Sequence, residues 1–231
     1  MLDKFALHRY NDNRIIDNYI IIKKEEGMAV ADRSIDPRIL SSAKKEFLQK
    51  GFLNASLQEI CKEAGVTTGA LYKRFKGKEE LFCAVVQGTV DDLSGAMRSR
   101  SVPPETLSDE QLKKAWDMDR AFMLWWFRFL YERYDGVRLL LTCAEGTKYS
   151  AFEHEWVESM SSITYAYYKE AQRRGLTKTD ISEKELHVML TAFWTAICEP
   201  LVHGFSFEEA SRVSDLMCGL FDWYKMLGFE R

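Results

Sequence analysis

The chain's 231 residues, 46% hydrophobic and 29% charged with only four prolines, can bury a sizeable core and are not the composition of a disordered or low-complexity polymer. A net charge of −3 excludes a uniformly basic nucleic-acid binder, but residues 28–80 hold ten Lys/Arg against seven Asp/Glu while residues 81–231 hold seventeen against twenty-three. That asymmetry describes a small basic reader attached to a larger acidic body.

Residues 1–27 carry five basic and five acidic side chains and no apolar region followed by a small-residue cleavage site, so no signal peptide is expected. Two readings stand for this segment. It is a genuine arm beside the reader, or it is leader sequence ahead of a start at Met28, since Lys24-Glu25-Glu26-Gly27 can be encoded by a purine-rich ribosome-binding site. Asp36 before Pro37 is a helix-start signal, and Ile39, Leu40, Ala43, Phe47 and Leu48 form the buried stripe of a helix to about Lys50, ended by Gly51.

Ser56 and Glu59 have capping-box spacing for a short helix from Leu57 to about Ala64, with Leu57, Ile60, Cys61 and Ala64 on one face and Gly65 as its left-handed terminator. Thr67 or Thr68 caps the next helix, which opens on Gly69 and Ala70 and buries Leu71 and Phe75. Small and hydroxylated residues at the entering end of a helix let it approach base edges in a major groove. Lys73, Arg74, Lys76 and Lys78, with no acidic residue between Ala64 and Lys78, suit phosphates.

The Ile60-Cys61-x-x-Ala64-Gly65-Val66 turn, Leu71-Tyr72-x-x-Phe75, Lys78-x-x-Leu81 and the upstream Gly51-Phe52 resemble the DNA-binding motif of the tetracycline-repressor (TetR) family of bacterial regulators, over about residues 35–93. One departure is Ala55, where the family often has a hydroxyl residue that reaches a phosphate. The resemblance implies a dimer that binds double-stranded DNA at a pseudo-palindromic operator and releases it when a small molecule binds the second domain. Thr67, Thr68, Gly69, Ala70 and Lys73 are the expected base-side residues, and Tyr72, Lys76 and Lys78 the backbone-side ones.

Beyond the reader, a long connecting helix is predicted over 78–99 and a loop at 100–107. Ser108 and Gln111 cap a helical segment running to about Tyr134, and a short helix follows over 137–144. Phe152, Trp156, Met160, Ile163 and Tyr167 mark a helix ending at Gly175, and Leu186, Leu190, Phe193, Ile197 and Leu201 a helix from a Ser182 cap, kinked near Pro200. Ser206 caps a last helix whose stripe runs from Ala210 to Leu227 and is widened by Leu216 and Trp223, more than one neighbour can cover. The fold class is all-α: an N-terminal three-helix helix-turn-helix domain (28–80) and a larger helical effector-binding and dimerisation domain (81–231), dimerised through 186–201 and 210–227.

No catalytic motif stands out, and His8, His154, His187 and His203 are too scattered to suggest a metal site, so neither an enzyme nor a metal or cofactor is expected. Five cysteines without a C-x-x-C pair point to reduced thiols in the cytoplasm, and the apolar run Ala121–Tyr131 is too short to span a membrane. Trp125, Trp126, Phe129, Tyr165, Tyr168, Phe193 and Trp194 are ordinary core residues taken singly; as a set, by the resemblance, they line an effector cavity between segments 109–134, 137–145, 150–174 and 183–200. Thr191 and Thr195 supply its hydroxyls, and the ligand is a mainly apolar or aromatic molecule or a lipophilic cation. The competing functional reading is a helical interaction protein whose second domain docks a partner protein, with DNA binding secondary.

Overall fold

The computed structural model describes residues 37–100 and 102–229. The expectations for residues 1–27 and for Asp36 as a cap lie outside these residues. Among the described residues there is no strand, only an isolated bridge between Thr177 and Phe229. No described helix is long and apolar enough to cross a membrane. The chain folds as two compact units, one holding 37–93 and 132–153, the other 94–131 and 154–229.

The first unit is built on α1 (Pro37–Asn54), α2 (Leu57–Ala64), α3 (Thr68–Tyr72) and α4 (Lys78–Arg100) as far as Leu93. Its core is aromatic: the Phe82 ring meets Phe47 at 5.1 Å and Phe52 at 5.7 Å, both edge-on, while Ile39, Ile60, Leu71 and Leu81 are wholly buried around them. α1 does not stop at Gly51. That residue takes φ 70°, ψ 167°, a conformation only glycine adopts cheaply, and the chain then resumes one more turn that turns Phe52 into the core. The same unit takes in α7 (Tyr134–Thr142), where the Phe52 N–H donates to the Cys143 carbonyl at 3.0 Å and Lys44 pairs with Asp135 at 2.7 Å. Gly136 lets α7 approach α4: a Cβ there would lie 1.9 Å from Thr89 Oγ1.

In the second unit, α5 (Asp109–Lys114), α6 (Arg120–Tyr131), α8 (Phe152–Arg173, from His154 onward), α9 (Glu183–Val202), α10 (Phe207–Leu220) and α11 (Trp223–Leu227) pack around tryptophans. The single helix expected from Ser108 to Tyr134 is broken twice: between Lys114 and Arg120, and between Tyr131 and Tyr134. The first break seats Trp116, 2% exposed, against Trp223 and Phe229 at 6.1 and 6.2 Å, and the Asp119 carboxylate then accepts the Phe122 N–H at 2.8 Å to start α6.

The last helix is also interrupted, at Phe221 (φ −102°, ψ 77°), which places the Phe221 ring 5.2 Å from Phe193 and lets the Asp222 carboxylate cap α11 through the Lys225 N–H at 3.0 Å. Gly228 in left-handed conformation then turns the chain into the Phe229 bridge with Thr177. The predicted caps at Ser108, Ser182 and Ser206 are all present as reciprocal capping boxes.

Candidate functional site

Ser56 caps α2 by accepting the Glu59 N–H at 3.4 Å, but the reciprocal contact is not made by Glu59 as its spacing suggested. The Ser56 N–H instead donates to Glu46 of α1 at 3.0 Å, and the same carboxylate takes the Lys50 ammonium at 2.8 Å. Burial works to raise the pKa of Glu46, yet these two hydrogen bonds and the Lys50 charge outweigh it and hold the carboxyl below its ordinary value. Glu46 thus stays ionised and fixes the angle at which α2 leaves α1.

The turn from α2 to α3 follows from Gly65 in left-handed conformation (φ 66°) and from Thr67, whose hydroxyl accepts the Ala70 N–H at 3.1 Å. Leu71 and Phe75 are buried, so α3 can present only its opposite side. Thr67, Thr68, Gly69, Tyr72, Lys73, Arg74 and Lys76 are exposed there, with Ala70 half-buried at the edge. Nothing in the fold requires glycine at 69: a Cβ would meet only Thr67 Oγ1 at 3.9 Å.

Lys78 is placed differently from the other cations. Its ammonium donates to the carbonyls of Leu53 at 2.9 Å and Ala55 at 3.0 Å and lies 4.8 Å above the Phe52 ring. An ammonium has three donors, so one remains for a phosphate. The pairing also ties the start of α4 to the turn between α1 and α2.

In the second unit a cavity of about 170 Å³ lies between α4, the 115–118 turn, α6, α8 and α9. That is below the roughly 300–1,000 Å³ of drug-sized ligand pockets. Three of the expected aromatics line it: Trp126, Phe193 and Trp194. Four do not. Trp125 is at the surface, stacked on Phe129 with centroids 5.1 Å apart. Tyr165 stacks on Tyr168, whose hydroxyl accepts the Ile181 N–H at 2.9 Å and donates to the Thr179 carbonyl, a structural tie in the α8–α9 turn.

Nor do Thr191, Thr195 or the segment 137–145 reach the cavity. Its hydroxyls are those of Thr164 and Tyr167, and sequence reasoning missed Trp116 and Trp156 as wall residues. A signal is present in the α8 stripe, since Trp156, Met160, Ile163 and Tyr167 share one face of a segment, 150–174, expected to border the cavity. Tyr167 donates to the Val102 carbonyl at 2.6 Å and accepts the Val102 N–H at 2.8 Å; burial first, opposed by the Val102 N–H, leaves its pKa raised. Met97 brings α4 itself to the wall.

Among the described residues no group of His, Cys, Asp or Glu could hold a metal. His187 Nδ1 lies 3.0 Å from Ser161 Oγ, and the ring stands 6.0 Å from His154. Because Ser161 gives its proton to the Val157 carbonyl at 2.7 Å, its oxygen accepts from His187, so the half-buried ring already has a partner.

Residues 39–85 match the family model described as bacterial regulatory proteins, tetR family. Over 198 residues the chain is 24% identical to the HTH-type transcriptional repressor AcnR of Corynebacterium glutamicum, covering 83% of this chain and 96% of that one. Its fold matches that of SCO3833, a TetR-family member from Streptomyces coelicolor, with TM-score 0.54, 20% identity and coverage of 89% and 96% of the two chains. It also matches FadR from Bacillus subtilis in complex with stearoyl-CoA, with TM-score 0.52, 14% identity and coverage of 80% and 96%.

Proposed function

Because the chain belongs to the tetR family of bacterial regulatory proteins and is a DNA-binding transcriptional regulator, we propose that it is a repressor released from its operator by a small apolar effector held in the second unit's cavity. The observation that carries this reading is a wall shared by the cavity and the connecting helix: Met97 of α4 lines the cavity, and Tyr167 grips Val102 just beyond that helix. α4 begins at Lys78, whose ammonium holds the turn of the reader. An effector that prefers one position of α4 therefore changes the presentation of α3 and lowers DNA affinity by its differential affinity for the two states.

On this reading Thr67, Thr68, Gly69, Ala70 and Lys73 approach bases, and Tyr72, Lys76 and the third donor of Lys78 approach the backbone. A short α3 of five residues needs a second copy for useful affinity, so the protein acts as a dimer on a pseudo-palindromic site. The dimer surface we assign to α9 and α10, where Val188 is 61% exposed and Leu216 and Leu220 are each 75% exposed. A stearoyl-CoA, bound by the Bacillus protein, is too large for the cavity in this state.

The test is competition of an inverted repeat from the gene's own upstream region against bulk DNA, followed by a thermal-shift screen and operator release. Specific competition together with ligand-driven release is expected. Ligands that bind the cavity without altering operator affinity would remove the effector part of this reading.

A further inference from the structure

Ten of the fifteen residues walling the second unit's cavity are aromatic or methionine, and none is Asp, Glu, Lys, Arg or His. Trp116, Trp126, Trp156 and Trp194 are buried and form its floor, while Met97, Met118 and Met160 stand half-buried at its rim, one each from α4, the 115–118 turn and α8. The indole nitrogens of Trp116, Trp156 and Trp194 are buried within the protein and do not open onto the cavity, so these rings meet a guest with carbon. The wall's hydroxyls give their protons to the chain, Thr164 to the Met160 carbonyl at 2.6 Å and Tyr167 to that of Val102.

We propose that the cavity receives an uncharged molecule built on a single aromatic ring. This rests on the assignment of the cavity as the effector site and narrows the class of effector. Both kinds of side chain that dominate the wall favour an arene over a saturated body of the same size: aromatic rings attract one another, edge-on or offset, beyond the area they bury, and a thioether sulfur gains from lying near a ring. The floor offers rings at different tilts, Trp194 standing at 86° to Trp126 and 39° to Trp156. An anion finds no cation in the wall. A cation finds no carboxylate there, and its attraction to ring faces is smaller than the cost of taking it out of water. Size sets the last limit, since an apolar cavity of about 150 Å³ holds one benzene and this one is about 170 Å³.

The probes are toluene and methylcyclohexane, which carry the same methyl on a flat and a saturated six-carbon ring, with benzoate and benzylammonium as ions and biphenyl as a two-ring body. Binding to the full chain is followed by titration calorimetry, and the methionine methyls by NMR with ¹³C-methyl label. Toluene is expected to bind about threefold more tightly than methylcyclohexane, although the saturated ring leaves water the more readily, and at least about tenfold more tightly than either ion. Biphenyl should bind no more tightly than toluene despite its larger apolar surface. The ring current of bound toluene should shift the methyls of Met97, Met118 and Met160. Ile163→Phe adds bulk at a half-buried wall position and should remove toluene binding, and the NMR readout in wild type stands should that variant fail to fold.

Methylcyclohexane binding as tightly as toluene, tighter binding of an ion or of biphenyl, unmoved methyls at all three methionines, or no binding of toluene overturns the proposal. Operator binding by the same preparation is measured separately. The expected selectivity with operator affinity unchanged by toluene supports this inference and removes the effector part of the functional reading, whereas operator release by an ion seated in the cavity supports that reading and sinks this inference.

Discussion

Tyr167 holds Val102 at both its backbone groups, donating to the carbonyl at 2.6 Å and accepting the N–H at 2.8 Å. Tyr167 lines the cavity and Val102 follows α4, so the pair is a polar link between the cavity and the connecting helix. In Tyr167→Phe both Val102 groups lose their partner, at a cost of about 1–3 kcal/mol in stability. A ligand found by the thermal-shift screen should still bind the variant, but its effect on operator affinity should shrink. An undiminished effect in a gel-shift titration would place the coupling elsewhere, with Met97 the next candidate.

Lys78 is expected to have two effects that separate cleanly. Lys78→Ala leaves the Leu53 and Ala55 carbonyls without their ammonium and should cost about 1–2 kcal/mol in denaturant unfolding. Its lost phosphate contact should weaken all DNA sequences alike and reduce the slope of log affinity against log salt by about one unit. Thr68→Ala should instead change base preference with little effect on that slope. An unchanged slope for Lys78→Ala would leave Lys78 a bracing role alone.

The reader was legible in the sequence because its signals are local: Gly65 and Thr67 set a turn within a few residues of themselves, and the structure has both where expected. Long-range causes were not legible. Nothing near Ser56 says that Glu46 will take its N–H, and nothing near Lys114 or Leu220 says that a helix must stop. Those helices end because Trp116, Phe193, Phe221, Trp223 and Phe229 must meet from distant parts of the chain, and packing of that kind overrides continuous helical periodicity. For the same reason the family resemblance implied a cavity among the aromatics without saying that Trp156 faces it and Trp125 does not.

The contact between α7 and α4 depends on a missing side chain. Gly136→Ala puts a Cβ 1.9 Å from Thr89 Oγ1 and 2.9 Å from its Cβ, so the helices must separate. The expected loss is about 1–3 kcal/mol in thermal or denaturant unfolding. Thr89→Ala in the Gly136→Ala background should recover part of it, because the nearest atom is gone while the Cβ contact stays. Full stability in the single variant would show that α7 does not pack so closely on α4.

Glu170 offers a pH prediction. The Arg173 and Arg174 guanidiniums hydrogen-bond its carboxylate and hold its pKa at about 2 against an ordinary 4.5. Arg174 also donates to the Leu107 carbonyl at 2.7 Å and to Asp109 at 3.0 Å, tying α8 to the segment before α5. A depressed carboxyl pKa gives stability that is complete above the unfolded value and lost as pH falls through the folded one. The tie should therefore weaken only between about pH 4.5 and 2. NMR titration of the Glu170 side-chain carboxyl checks it, and a midpoint near 4.5 would show the pairs to be loose in solution.

Leu216 and Leu220 stand one turn apart on α10, each 75% exposed, and Val188 on α9 is 61% exposed. Aliphatic side chains this open are ordinary singly, but on the two helices expected to dimerise they are the groups a second copy would bury. Leu216→Asp with Leu220→Asp should leave the monomer fold intact, since neither side chain belongs to its core. Placing charges in a closed two-fold interface sets like against like across the axis, because each patch meets its own copy. Sedimentation at micromolar concentration should show dimer for the wild type and monomer for the variant. Operator affinity should fall with it, since one α3 of five residues then reads a single half-site. A variant that stays dimeric would move the interface off α10, and a wild type that sediments as monomer without DNA would overturn the dimer assignment itself.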